Sequence, residues 1–130
     1  MTARLRSVPG NGAALGWAGA HTLVVDRPEG VAGGTGLSFN GGQLLTLAIG
    51  GCLCNDLHHV AQKRGVRLDS VEVEVTVAFA GEPLLATAAR VRVAVEAEEA
   101  DAAELVRLAS EVSTVGNSVA RGFPVEVTPA

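Results

Sequence analysis

The stretch from Gly42 to Phe79, "GQLLTLAIGGCLCNDLHHVAQKRGVRLDSVEVEVTVAF", changes its period halfway along. From Gly42 to about Lys63 apolar residues recur at helical spacing; Lys63 and Arg64 stand in the last turn and Gly65 is a good stop. Asn40 stands where an N-cap belongs. From Ser70 the period drops to two, with Val71, Val73, Val75 and Val77 on one face and Glu72, Glu74 and Thr76 on the other. That is a half-buried antiparallel strand following a buried helix. Gly50 and Gly51 in mid-helix cost about 1 kcal/mol each relative to Ala. Their presence implies a close approach by another backbone or a small ligand just before Cys52.

Upstream, "ARLRSV", "AALGWAG" and "HTLVVDR" are short β-prone runs separated by turn residues. Residues 27–42, "RPEGVAGGTGLSFNGG", hold six glycines and a proline and form a long loop, functional or wrapped on a neighbour. Downstream, "GEPLLA" turns and "ATAARVRVAVEAE" alternates again, with Val91, Val93 and Val95 inward. "DAAELVRLASEV" has Leu105, Leu108 and Val112 at helical spacing behind an Asp101 cap. A short "VGNSVARG" segment leads to a last strand, "FPVEVT". The expected order is β-β-β-α-β-β-α-β: an α+β fold with mostly antiparallel pairing, one domain over residues 1–130.

The 130 residues are 48% hydrophobic but only 3% aromatic, so the core is built of Val, Leu and Ala. So apolar a short chain suggests that a partner subunit covers some of its surface, and a homo-oligomer is expected. The net charge of −4 and the scattered basic residues argue against nucleic acid. The longest apolar run, Leu44 to Leu53, is too short to span a bilayer. The N-terminus "MTARLRSVPGNG" lacks the apolar middle of a secretory signal, so the expected location is cytoplasmic. In a reducing compartment Cys52 and Cys54 read as free thiols.

With Cys52 at 0° and about 100° per residue, Asp56 falls near 40° and His59 near −20°, whereas Cys54 and His58 fall near 200° and 240°. Cys52, Asp56 and His59 thus share a stripe, and the two cysteines point apart. Cys52 reads either as a thiolate nucleophile with Asp56 and His59 as assistants, or as a small buried apolar residue. Neither Cys54 with His58 nor Cys52 with Asp56 reaches the three or four ligands of a zinc site, so no metal is expected. "GGTG" and "NGG" lack the phosphate-loop context, and no cofactor motif is present. The absence of GxSxG leaves no case for a hydrolase.

The run "FNGGQLLTLAIGGCLCNDLHHVAQKRGVRLDSVEVEV", residues 39–75, resembles the osmotically induced protein C and organic hydroperoxide resistance family (OsmC/Ohr). "VVDRPEGVAGGTG" and "EVSTVGNSVARGFPVEV" extend the resemblance over nearly the whole chain. It implies an intertwined homodimer with antiparallel sheets wrapped around a central helix, and sites at the subunit interface. It also implies thiol-dependent reduction of hydroperoxides, with Cys52 at the peroxidatic position. The family's Pro-Glu falls on Gly41 and Gly42, and its resolving cysteine on Ser113, so a disulfide cycle between Cys52 and a C-terminal partner is excluded. The family's arginine comes from the N-terminal strands, where Arg4, Arg6 and Arg27 are available. Gly42, Gln43, Ser113 and Asn117 become candidates to line the pocket. What the resemblance leaves is one-cysteine chemistry with an external thiol reductant, or a non-catalytic dimer that holds a small apolar ligand.

Overall fold

In the computed structural model, which describes residues 1–98 and 100–129, three strands precede a long helix. They are β1 (Ala3–Ser7), β2 (Ala14–Ala18) and β3 (His21–Val25), followed by α1 (Gly41–Arg64). Two long strands follow, β4 (Leu68–Ala80) and β5 (Leu85–Ala97), then α2 (Ala102–Val112) and α3 (Thr114–Arg121). Two compact units result, Met1–Leu45 and Thr46–Ala130, and the boundary falls within α1.

In the first unit β1, β2 and β3 form an antiparallel meander. Leu5, Gly16 and Leu23 lie in one cross-strand row and Arg4, Trp17 and Thr22 in the next. One face is therefore apolar and the other carries the cations, as period-two patterning requires. The glycine loop after β3 is tied down from inside. The buried Asp26 carboxylate accepts from the Thr35 hydroxyl at 2.6 Å and from the amides of Arg27, Thr35 and Leu37 at 2.7 to 3.2 Å. The Thr35 hydroxyl, seconded by those amides and opposed by burial, holds its pKa down at about 2. Gly34 lies where an added Cβ would meet the carbonyl oxygens of Arg27 and Pro28 at 2.6 Å, so only glycine lets the loop close on itself.

In the second unit β4 and β5 pair antiparallel, Val71 opposite Val95, Val73 opposite Val93 and Val75 opposite Val91. The valine face covers a core of Leu53, Leu57 and Val60 from α1 with Leu105 and Ala109 from α2. Helix α1 settles onto this sheet at Gly50, where a Cβ would stand 2.9 Å from Val75 Cγ2. The close approach expected of the glycine pair is thus made by a strand of the same chain at Gly50. Gly51 faces open space.

Two expectations change. Helix α1 is not apolar-covered all round: its buried residues Ile49, Gly50, Leu53, Leu57, Val60 and Ala61 occupy one arc, and Leu47, Gly51, Asn55, His58 and His59 are exposed. Within the second unit the β4–β5 sheet and α2 pack against that arc. The last strand is not formed either: "VGNSVARG" becomes α3 with Thr114, and residues 122–129 are in no strand. Phe123, Val125 and Val127 alternate as a strand should, yet all three are exposed. Period-two patterning makes a strand only where an edge is offered, and none pairs with this segment among the described residues.

Candidate functional site

Cys52 and Cys54 stand at opposite margins of the buried arc of α1, and both are half-buried free thiols. The roughly 200° between them keeps them apart, as the helical spacing requires. Cys52 Sγ donates to Asp56 Oδ2 at 3.4 Å, one turn along the same stripe. Within the second unit, Asp56 is the only hydrogen-bond partner of that sulfur among the described residues. The thiol therefore meets an acceptor for its proton, and no guanidinium of that unit bonds to it.

Asp56 also opens onto a groove of about 410 Å³ between α1 and α2. From α1 it is lined by Asp56, His59, Val60, Lys63 and Arg64, and from α2 by Leu108, Glu111 and Val112. Arg64 reaches Glu104 at 3.5 Å, so α2 begins beside the end of α1 and runs back along it. Asp101 caps α2, accepting from the amides of Ala103 at 3.0 Å and Glu104 at 3.3 Å. Arg107 bridges Glu104 and Glu111 on the outer face of α2. Its hydrogen bond is the chief reason that the Glu104 carboxyl titrates below its usual range. Of these pairs Arg64–Glu104 joins the two walls of the groove, and the others stabilise α2 itself.

Of the residues singled out in the sequence, Cys52 and Asp56 are in contact and His59 joins Asp56 on the groove wall. Gly42 and Gln43 belong to the first unit. Gln43 makes a reciprocal cap with Asn40, each side chain accepting the other's amide at 2.9 Å, which confirms Asn40 as the N-cap of α1. Asn117 turns its side-chain amide onto the carbonyls of Ser110, Glu111 and Ser113 at 2.7 to 3.3 Å, closing the free end of α2. Ser113, between α2 and α3, is buried, and its hydroxyl has no hydrogen-bond partner among the described residues. Arg4 and Arg6 lie on β1, and Arg27 follows β3, all in the first unit. Lys63, Arg64, Leu108, Glu111 and Val112 were not legible as a site. The i, i+4 pair Leu108 and Val112 marks an apolar helix face, half-buried at Leu108 and exposed at Val112, but does not name what that face meets. Among the described residues no three His, Cys, Asp or Glu side chains converge on a point where a metal would sit. No described helix is long and apolar enough to cross a membrane.

The family model described as "OsmC-like protein" matches residues 34–128. An OsmC-like protein of unknown function from Vibrio cholerae superposes with a TM-score of 0.77 at 13% identity, over 90% of this chain and 91% of that one. The organic hydroperoxide resistance protein OhrB of Bacillus subtilis gives 0.61 at 24%, over 92% and 90%. A putative organic hydroperoxide resistance protein of Vibrio cholerae, with captopril bound in one of its active sites, gives 0.59 at 26%, over 92% and 84%. No curated protein matches the chain in sequence.

Proposed function

Because the chain belongs to the OsmC-like protein family, we propose that it reduces organic hydroperoxides with Cys52 as its only redox-active thiol. The observation that carries this reading is the thiol–carboxylate contact at the mouth of the groove, Cys52 Sγ to Asp56 Oδ2 at 3.4 Å. The sulfur attacks the distal peroxide oxygen while its proton passes to Asp56. The O–O bond breaks, the departing alkoxide takes that proton and leaves as the alcohol, and Cys52 is left as a sulfenic acid. One external thiol displaces water from the sulfenic acid to form a mixed disulfide. A second external thiol releases Cys52, so that one hydroperoxide and two thiols give alcohol, water and a disulfide. His59, exposed on the same wall, serves as a further proton relay. With Ser at position 113 the external thiol replaces an internal resolver.

The working form in this reading is an intertwined homodimer. Its support is the exposed apolar surface: Leu5 and Leu23 on the first sheet, Leu47 on α1, and the unpaired "FPVEVT" segment. A cytoplasmic location suits two free cysteines. The test is turnover of cumene hydroperoxide with a dithiol reductant, run beside Cys52→Ser and Cys54→Ser. Loss in the first variant and retention in the second are expected. Turnover that survives Cys52→Ser, or none in the parent, overturns the reductase reading.

A second reading rests on what surrounds the same sulfur. It faces a carboxylate, and the positions of the family's acid and resolving cysteine are Gly42 and Ser113. In that reading the dimer binds a small apolar ligand and Cys52 is an inert thiol. Binding of cumyl alcohol by a parent protein that shows no turnover decides for it.

A further inference from the structure

Two of the groove's charged residues are in ion pairs, Arg64 with Glu104 and Glu111 with Arg107. Asp56 accepts the Cys52 thiol and, among the described residues, forms no ion pair. Among the described residues Lys63 has no hydrogen bond or ion pair, although it lines the same groove. Between the ends the floor is apolar: Val60 from α1, and Leu108 and Val112 from α2. Lys63 lies seven residues, two turns and about 10 Å, along α1 from Asp56, on the same side of the helix. The groove thus has at one end the carboxylate that accepts the Cys52 thiol, an apolar middle about the length of a medium chain, and at the other end the ammonium of Lys63.

We propose that the groove selects amphiphiles carrying a carboxylate, which Lys63 holds while the chain lies on Val60, Leu108 and Val112 and the far end reaches Asp56. Lys63 is then a specificity residue, since it touches the ligand and not the reacting atoms. The proposal rests on the reductase reading only for the meaning of the Cys52 end; the charge selection stands by itself. A flexible ammonium holds a carboxylate as a point charge with little demand on geometry, and at this exposed position the attraction is screened by salt. The competing role for Lys63, in the last turn of α1, is to offset the helix dipole. A residue with that role alone alters stability and leaves ligand preference unchanged.

The experiment measures binding of octanoate and of 1-octanol to the full chain by calorimetry at low salt, with no peroxide present. The expected result is octanoate bound about tenfold more tightly, a preference that shrinks as salt rises. Lys63→Gln should remove most of that preference with octanol affinity unchanged, and Lys63→Arg should restore it. Equal affinities in the parent, no binding of either ligand, or a preference that persists in Lys63→Gln overturns the proposal. The same titration on Cys52→Ser separates the two readings. Selection that persists in Cys52→Ser, with a parent that shows no turnover, sinks the reductase and keeps the groove. Turnover without selection does the reverse.

Discussion

Gly50 and Gly51 are neighbours in one helix, and replacing each by alanine isolates what tertiary packing adds to one of them. Both substitutions bring the same gain in helix propensity, about 1 kcal/mol. At Gly51 the new methyl meets nothing within 4 Å in the chain, so the full gain should appear. At Gly50 it stands 2.9 Å from Val75 Cγ2, against the roughly 3.5–4.0 Å of an ordinary carbon contact. Val75 is β-branched, with one favoured rotamer, and its strand is held in register by β5, so it cannot swing aside cheaply. Overpacking of this kind costs about 1–3 kcal/mol. The propensity term cancels between the variants, so Gly50→Ala should be less stable than Gly51→Ala by about that amount. Urea denaturation at fixed protein concentration measures it, because the slope should stay constant while the midpoint moves. A Gly50→Ala protein as stable as Gly51→Ala would refute the packing of α1 on β4. If Gly51→Ala instead loses stability and weakens self-association, a second chain lies on that face of α1, as the homodimer reading requires.

Three further outcomes are expected. The Asp26 carboxyl, whose pKa is lowered to about 2 by Thr35 and the loop amides, is depressed below its unfolded value near 3.8. Its contribution is therefore whole above about pH 4 and lost as the pH falls toward 2, and a melting-temperature profile should lose that acid limb in Asp26→Asn. Ser113→Ala should be neutral or stabilising by about 1 kcal/mol in thermal melts, since it removes a buried hydroxyl with no partner; a clear loss would mean that the hydroxyl has a partner in the working assembly. Leu57→Ala, at the fully buried centre of the core, should cost about 2–5 kcal/mol in denaturant titrations, and a loss below 1 kcal/mol would place the core elsewhere.

Much of the fold is written in local pattern. Period two in β4 and β5 gave their inward valines, because a strand's side chains alternate whatever it packs against. Asn40, Asp101 and Gly65 bounded their helices because capping is settled within a few residues. The separation of Cys52 from Cys54, and the meeting of Cys52 with Asp56, followed from helical geometry alone. The same logic failed at "FPVEVT", whose pattern is right but whose pairing edge must come from outside the segment. Gln43 and Asn117 entered as pocket candidates through the family resemblance; their side chains bond to the backbone nearby and fasten helix ends.

Interactions spanning a few residues thus settled the helices α1 and α2, the strands β1 to β5, their faces and the one cysteine stripe. Long-range packing alone set α2 running back along α1, made Gly50 and not Gly51 the point of contact with β4, and left Lys63 without a partner among the described residues at the end of a groove. Those facts depend on which distant surfaces bury each other, a choice that periodicity constrains but does not make.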